Sequence, residues 1–593
     1  MLYPLPRTLH VLVVATLLLG ASGCIWALPP QHDIFVKPNA YHDGLTILYN
    51  GRVFTSNQDR LWAEAIVLER NRIIAVGSTN SLLKQAQKGA LLIDLKGKLL
   101  IPGLNNAHVH APITIEGHSL DTGNVVFTPG PSAAEMLSLI EDAVARIPAG
   151  TWIHGVVGFR LFEEEQLDRF QLDAVAPNHP VKLLKFAGHG TIFNTNALNL
   201  LSIAEDAPNP LGGFMGRVPG SNILNGYFHE YAEWNLAGQA LGNLLSDERV
   251  IELYQSYVLQ SLVVGTTSIQ NMSNNLNQVD NKRILEKAAL PIRWRSICFP
   301  GSFEESCYGF NAAPADSPDG MVSYHGKKWI IDGSPIERGA QMTEPYTDRP
   351  ETSGLTNFSD AELKRILQEG LRGDPGENQL LFHAVGDKSI ERILLGMKEL
   401  APATAWKDRR IRIEHCDMLR PDLRTLFKQF GVIYVQNASH FSLRFIHEAR
   451  FGPERAKWAF PLRSLLEAGI PIAMGSDAVG IPDNPFVDLM SAVTHPFHPH
   501  EAISMEQAVM AYTTGSAYAE FQEHQKGMLK PGMLADLTVL NQDIFRISPQ
   551  EVPHTRSILT IVDGRIAYDA GVLSLKKVSA PSLPNPNDPK PAR

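Results

Sequence analysis

From residue 45 to 101, short apolar runs alternate with turns, as in Leu45-Thr46-Ile47-Leu48, Ala65-Ile66-Val67-Leu68 and Ile73-Ile74-Ala75-Val76. This pattern predicts strands joined by hairpins. The stretch 528–575 reads the same way, with Asp563-Gly564 at a hairpin turn. Between these ends, residues 102–527 alternate apolar runs of strand length with amphipathic stretches. The candidate strands are 181–186, 265–270, 328–332, 379–383, 411–415, 432–436 and 471–477, and 152–157 and 292–298 are also strand-like. Helices are predicted at 132–146, 359–371, 388–400 and 504–512. Strands alternating with helices mean βαβ units and a parallel sheet. The predicted fold class is α/β: a TIM-like (β/α)8 barrel with insertions over 102–527, and a small β-sandwich built from 45–101 and 528–575. The strand candidates exceed eight, so the pattern alone does not choose the barrel set.

The N-terminus breaks this rhythm. Arg7 and His10 precede an apolar run from Val11 to Leu19, followed by Gly20, Ala21, Ser22, Gly23 and Cys24. Charge, length and small residues predict an export signal over 1–24, because a membrane span needs about 20 apolar residues. Ala21-Ser22-Gly23-Cys24 is similar to a bacterial lipoprotein cleavage box, though Ala21 stands where Leu is usual. The expectation is an exported chain, periplasmic or membrane-anchored through Cys24. With five Pro in the 15 residues 579–593, the tail is predicted to be disordered. Cys298, Cys307 and Cys416 read as three buried thiols; a Cys298–Cys307 pair across a short loop is the alternative open to an exported chain.

Composition excludes several functions. Across 593 residues, 44% are apolar and 19% charged, which is globular. A net charge of −9, with no basic run and no phosphate-binding loop, gives no footprint for nucleic acid. The partner expected is a small-molecule substrate. Twenty His against four Cys direct any metal towards imidazole rather than thiolate ligands.

The chemistry collects at predicted strand ends. In Pro102-Gly103-Leu104-Asn105-Asn106-Ala107-His108-Val109-His110, the two His lie two apart and share one strand face. Alone, this spacing is weak. His383, His415 and Asp477 each end an apolar run as well, and Lys328 begins the run that ends at Asp332. The C-terminal ends of barrel strands form one mouth, so these residues are expected to converge on one or two divalent metal ions. Zinc suits imidazole and carboxylate ligands best. The residue-level alternatives are a salt bridge from Lys328, for instance to Asp332, and a helix cap at Asp477. His495, His498 and His500 sit among prolines and read as an exposed loop.

The ordered set His108-Val109-His110, Gly188-His189 with Asn194, Lys328 to Gly333, Thr343-Glu344-Pro345-Tyr346, His383 to Asp387, Gly475-Ser476-Asp477 and Leu529 to Leu537 resembles the amidohydrolase superfamily. More narrowly it resembles the amidohydrolase 3 (YtcJ-like) family, which includes N-substituted formamide deformylases. The resemblance runs from about 45 to 570. Asn105 and Asn106 depart from the usual Asp and Ser, and Ser334-Pro335 departs from the usual Ser-Leu-Gly. The resemblance implies one metal held by His108, His110 and Asp477 and a second by His383 and His415, with a carbamylated Lys328 bridging them. It makes His189 a substrate-side or oxyanion-contacting residue. Asp332 shares a strand face with Lys328 and Glu344 and Tyr346 run over the mouth, so all three are candidate substrate contacts; a structural turn is equally open for the last two.

The function so implied is metal-dependent hydrolysis of a non-peptide, amide-type carbon–nitrogen bond. A metal-activated hydroxide attacks the carbonyl, and Asp477 acts as general base and then acid. Esters, lactones and cyclic amides suit the same activated water. A non-catalytic metal-binding or solute-binding exported protein is the alternative from another class.

Overall fold

The computed structural model describes residues 42–125, 128–158, 160–163, 167–303, 316–477 and 483–578. The signal segment with Cys24, Cys307, Ala478 to Gly480 and the tail 579–593 lie outside them.

Eight parallel strands form the barrel path of the nine-stranded central sheet: β1 (Leu104–Val109), β2 (Thr266–Ser273), β3 (Arg293–Cys298), β4 (Lys327–Ile330), β5 (Leu380–Ala384), β6 (Arg412–His415), β7 (Ile433–Gln436) and β8 (Ile472–Met474), with Val322–Ser323 pairing off the path with β3. They pair in chain order, and the ladder is open only between β8 and β1. At that seam the N–H of Asp477 donates to the carbonyl of His108 at 2.9 Å, so the sheet is nearly a closed barrel. The helices between strands follow local signals. Ser359 and Glu362 form a capping box before helix Asp360–Gly370, and Ser504 and Gln507 do the same for Met505–Met510.

Two of the surplus candidates are strands of another sheet. Trp152–Val157 and Val181–Lys185 pair in parallel with each other, and Val181–Lys185 then pairs antiparallel with Gly190–Phe193. They belong to a six-stranded sheet inserted between β1 and β2, completed by Gly117–Ser119, Gly213–Arg217 and Leu224–Glu230. In the terminal sheets, Leu537–Leu540 runs antiparallel to Leu99–Pro102, and Leu575–Lys577 pairs with Leu91–Asp94. Leu48, Ile66 and Leu100 share one buried cluster with Leu537 and Leu559, which joins the two ends of the chain in one core.

The barrel interior is polar. Arg412 Nη2 donates to the Ala107 carbonyl at 2.8 Å, and its Nη1 reaches Gln270 on β2. Arg295 reaches Gln379 at 2.8 Å. The apolar mass, including Trp329, Phe382, Ile413 and Tyr434, forms a separate buried cluster with helix residues such as Ile366 and Leu394. Cys298 is disulfide-bonded, which corrects the expectation of three thiols; Cys416 is a buried free thiol. Among the described residues, no helix is long and apolar enough to cross a membrane.

Candidate metal centre

Strand ends deliver the side chains to one mouth. His108 is carried by β1, with His110 just beyond it; His383 is on β5 and His415 ends β6, while Asp477 follows β8. His108 Nε2 lies 3.6 Å and His110 Nε2 3.5 Å from Asp477 Oδ1, and His415 Nδ1 is 3.8 Å from Asp477 Oδ2. One ligand atom each from His108, His415 and Asp477 falls within 4.8 Å of the others. These separations are long for hydrogen bonds. They suit ligands of one ion, since bonds of about 2.1 Å at a tetrahedral angle put donor atoms roughly 3.4 Å apart.

The polar atoms themselves fit a cation. Asp477 Oδ1 and His383 Nε2 are buried without a hydrogen-bond partner. A buried polar atom left so costs about 1–3 kcal/mol. Burial, with the neighbouring His108 and Lys328, lowers the His110 pKa to about 3, and burial drives those of His383 and His415 well below the usual value. Neutral imidazoles are the form that ligates. Burial raises the Asp477 pKa, but His108, His110, His440 and Lys328 together lower it to about 2, so the carboxyl is ionised at neutral pH. The residues therefore fit a divalent metal.

His415 joins His108 and Asp477, with its ring 4.9 Å from that of His108. His383 lies between His415, at 4.5 Å between ring centroids, and His189, at 5.0 Å. Lys328 is buried, with its Nζ 3.5 Å from His108 Nε2; burial lowers its pKa to about 8 although Glu414 and Asp477 oppose the shift. Lys327 points the other way, to Glu369 on the outer helix at 3.4 Å.

His189 comes from the inserted sheet. Its Nδ1 lies 3.1 Å from both oxygens of Glu230. Burial lowers the His189 pKa, but Glu230 more than offsets this and the net shift is upward.

Two of the three candidate substrate contacts, Asp332 and Tyr346, make structural hydrogen bonds. Asp332 accepts backbone N–H groups from Gln341, Val385 and Gly386 at 2.9, 3.0 and 2.9 Å, which occupies both oxygens and leaves no salt bridge to Lys328. The Tyr346 hydroxyl donates to the Ala340 carbonyl at 2.6 Å, and Glu344 is exposed. Asp332 and Tyr346 thus hold the loop after β4. His495 and His498 bind the carbonyls of Phe460 and Ala456.

Four residues of the site were not singled out from the sequence. Glu414 accepts from His108 Nδ1 at 2.8 Å, which turns Nε2 toward Asp477. Arg412 holds Glu414 through Nε at 2.7 Å and Nη2 at 3.0 Å. Such a carboxylate behind a His fixes the ring and raises its basicity as a ligand. His440 lies 3.9 Å from Asp477 Oδ2, and Glu230 orients His189. Glu230, His415, Cys416 and Asp477 all have positive φ, at 54°, 66°, 51° and 41°. Each such residue costs about 1–3 kcal/mol and persists where its surroundings hold it, commonly at functional sites.

The amidohydrolase family model matches residues 91–568. Protein LONG AFTER FAR-RED 3 of Arabidopsis thaliana is 28% identical over 548 residues, covering 88% of this chain and 91% of that protein. N-substituted formamide deformylase of Arthrobacter pascens is 24% identical, covering 88% of this chain and 98% of that protein. An uncharacterised metal-dependent hydrolase from Pyrococcus furiosus shares the fold with a TM-score of 0.64 and 22% identity, over 85% of this chain and 100% of that one. With strand-end ligands in this arrangement and a family match over most of its length, the chain belongs to the amidohydrolase family.

Proposed function

We propose that the protein is a metal-dependent hydrolase of a non-peptide, amide-type carbon–nitrogen bond in a small molecule, and that its metal is zinc. The observation that carries this is the unpartnered Asp477 Oδ1 between His108 and His110 at 3.6 and 3.5 Å. The bond type draws on the family and on the similarity to N-substituted formamide deformylase.

His108, His110, His383, His415 and Asp477 would hold the metal, with Lys328 as a carbamate between two ions. When bound, a divalent ion supplies a water of lowered pKa and a Lewis acid for a carbonyl oxygen. Asp477 takes the water's proton on its carboxylate and returns it to the departing nitrogen. Glu414, locked by Arg412, keeps the His108 ring turned so that Nε2 faces Asp477. His189, held by Glu230, directs its ring to the side of the site near His383, where it can donate to a substrate oxygen. The barrel walls keep bulk water from these groups; His108, His383, His415 and Asp477 are all buried.

Purified protein is expected to carry about one to two divalent ions per chain by elemental analysis. The His108→Ala, His110→Ala pair should lose most of this metal. Lys328→Ala should lose turnover and at least one ion, with partial rescue by short carboxylates, whereas Lys327→Ala should change little. Full hydrolysis by metal-free protein would refute the reading.

We also propose that the chain is exported, with residues 1 to about 24 removed. The charge and apolar length of that segment support this, and so does the disulfide at Cys298, a bond kept in oxidising compartments. Mass spectrometry of the mature N-terminus should find it at or near Cys24, with a lipid mass if Cys24 is an anchor. An intact Met1 in the cytosol would reject export.

A further inference from the structure

The turn that carries Asp477 is held against β1 by a side chain with no place in the ligand set. Gly475 packs so closely that a Cβ there would lie 2.3 Å from the His108 nitrogen. The backbone of the turn has three anchors: Gly475 N–H donates to the Gln436 carbonyl at 3.1 Å, Asn437 Nδ2 donates to the Gly475 carbonyl at 2.9 Å, and Asp477 N–H donates to the His108 carbonyl at 2.9 Å.

The fourth anchor is Asn106, fully buried and two residues before His108. Its Oδ1 accepts the Ser476 N–H at 2.9 Å, and its Nδ2 donates to Ser476 Oγ at 2.8 Å. The same Nδ2 reaches Asp483 Oδ1 at 3.1 Å, and Asp483 Oδ2 also accepts the Tyr257 hydroxyl at 2.7 Å. Asn106 therefore grips the chain on both sides of Asp477. The position needs an acceptor and a donor on one short planar group. Asp would set a second carboxylate against Asp483, and Ala would leave Ser476 N–H and Asp483 without these bonds.

We propose that Asn106 is a positioning residue, which sets the Asp477 turn relative to His108 so that the carboxylate and the imidazoles keep ligand spacing. The inference rests on the reading that Asp477 and His108 share a metal. Asn106 acts through Ser476 and Asp483, and touches neither the metal nor the substrate.

The test measures zinc affinity by chelator competition, together with kcat, KM and thermal stability. Asn106→Ala should weaken zinc binding about 10–100-fold, the usual range for a partner behind the ligands, and lower kcat more than it changes KM. Asn281→Ala serves as the structural control: this buried Asn bonds Ser273 and the Tyr254 hydroxyl, away from the turn, so it should lower stability and leave zinc affinity unchanged. The reciprocal pair Asn106→Asp with Asp483→Asn restores one carboxylate facing one amide. It should recover at least about tenfold of the zinc affinity lost in Asn106→Asp alone, and it carries the test if the Ala variant fails to fold. Wild-type zinc affinity and kcat in Asn106→Ala would overturn the inference, as would an exchange that restores melting temperature but not zinc affinity. If the wild type binds zinc and Asp477→Asn does not weaken it, the shared-metal reading fails first.

Discussion

Asp477→Asn is expected to lower kcat by about 10²–10⁴-fold, the range for removing a positioned proton-transfer group, while the fold survives. Asn has nearly the shape of Asp and can keep the backbone turn, but it is not charged and cannot accept a proton at neutral pH. In the native protein the carboxyl is ionised at neutral pH, its pKa held at about 2 despite burial. The amide presents no anion to the His108 and His110 rings. Turnover per folded molecule, with bound metal measured in the same sample, is the deciding quantity. An Asn variant within about threefold of wild-type kcat would remove Asp477 from the chemistry.

Arg412→Leu should destabilise the protein by about 3–5 kcal/mol, the cost of stranding a buried charge. Arg412 and Glu414 are both fully buried and joined by two hydrogen bonds. Leu would leave Glu414 with His108 and Lys328 as its nearby groups and the Ala107 carbonyl without its donor. The pair also sets a pH dependence. Burial raises the Glu414 pKa, but Arg412 and Lys328 oppose this and depress it below the usual 4.5. Below that value the unfolded chain binds a proton that the native state does not, so stability falls as pH falls. Chemical denaturation at neutral pH and at acid pH would measure both effects. A loss under about 1 kcal/mol at neutral pH in Arg412→Leu would show that the pair does not hold the barrel interior.

Barrel strands were legible because a buried parallel strand is an uninterrupted apolar run, and a ligand at its end stands out against that run. The same rule misdirected the count at Trp152–Val157 and Val181–Lys185, which pair in parallel yet belong to the inserted sheet. Nothing local tells which sheet such a run will join. Asp332 was placed on the face of Lys328 by strand alternation, but β4 ends at Ile330 and the alternation ends with it. Glu414 did leave a signal: Arg412 and Glu414 stand two apart in an otherwise apolar run, on one face, with opposite charge. Glu230 left none, since it lies 41 residues from His189 and meets it only across the inserted sheet. Asn106 was visible as an unusual residue beside the His pair, but its partners Ser476 and Asp483 become apparent only when β1 meets β8.

The open seam between β8 and β1 has a consequence for the order in which the protein assembles. The first and last of the proposed ligands, His108 and Asp477, lie on the two lips of that seam, joined there by the Asp477 N–H and the His108 carbonyl. An ion held by both lips would act as a clasp, so that loading it and shutting the barrel would become one event. Ribosome-bound chains cannot hold the ion in this way until residue 477 has emerged. In the finished protein, chelation should loosen this edge before any other. The Asp477 amide would then exchange its hydrogen sooner than amides within β2 to β7, which makes it a local reporter of whether the clasp is fastened.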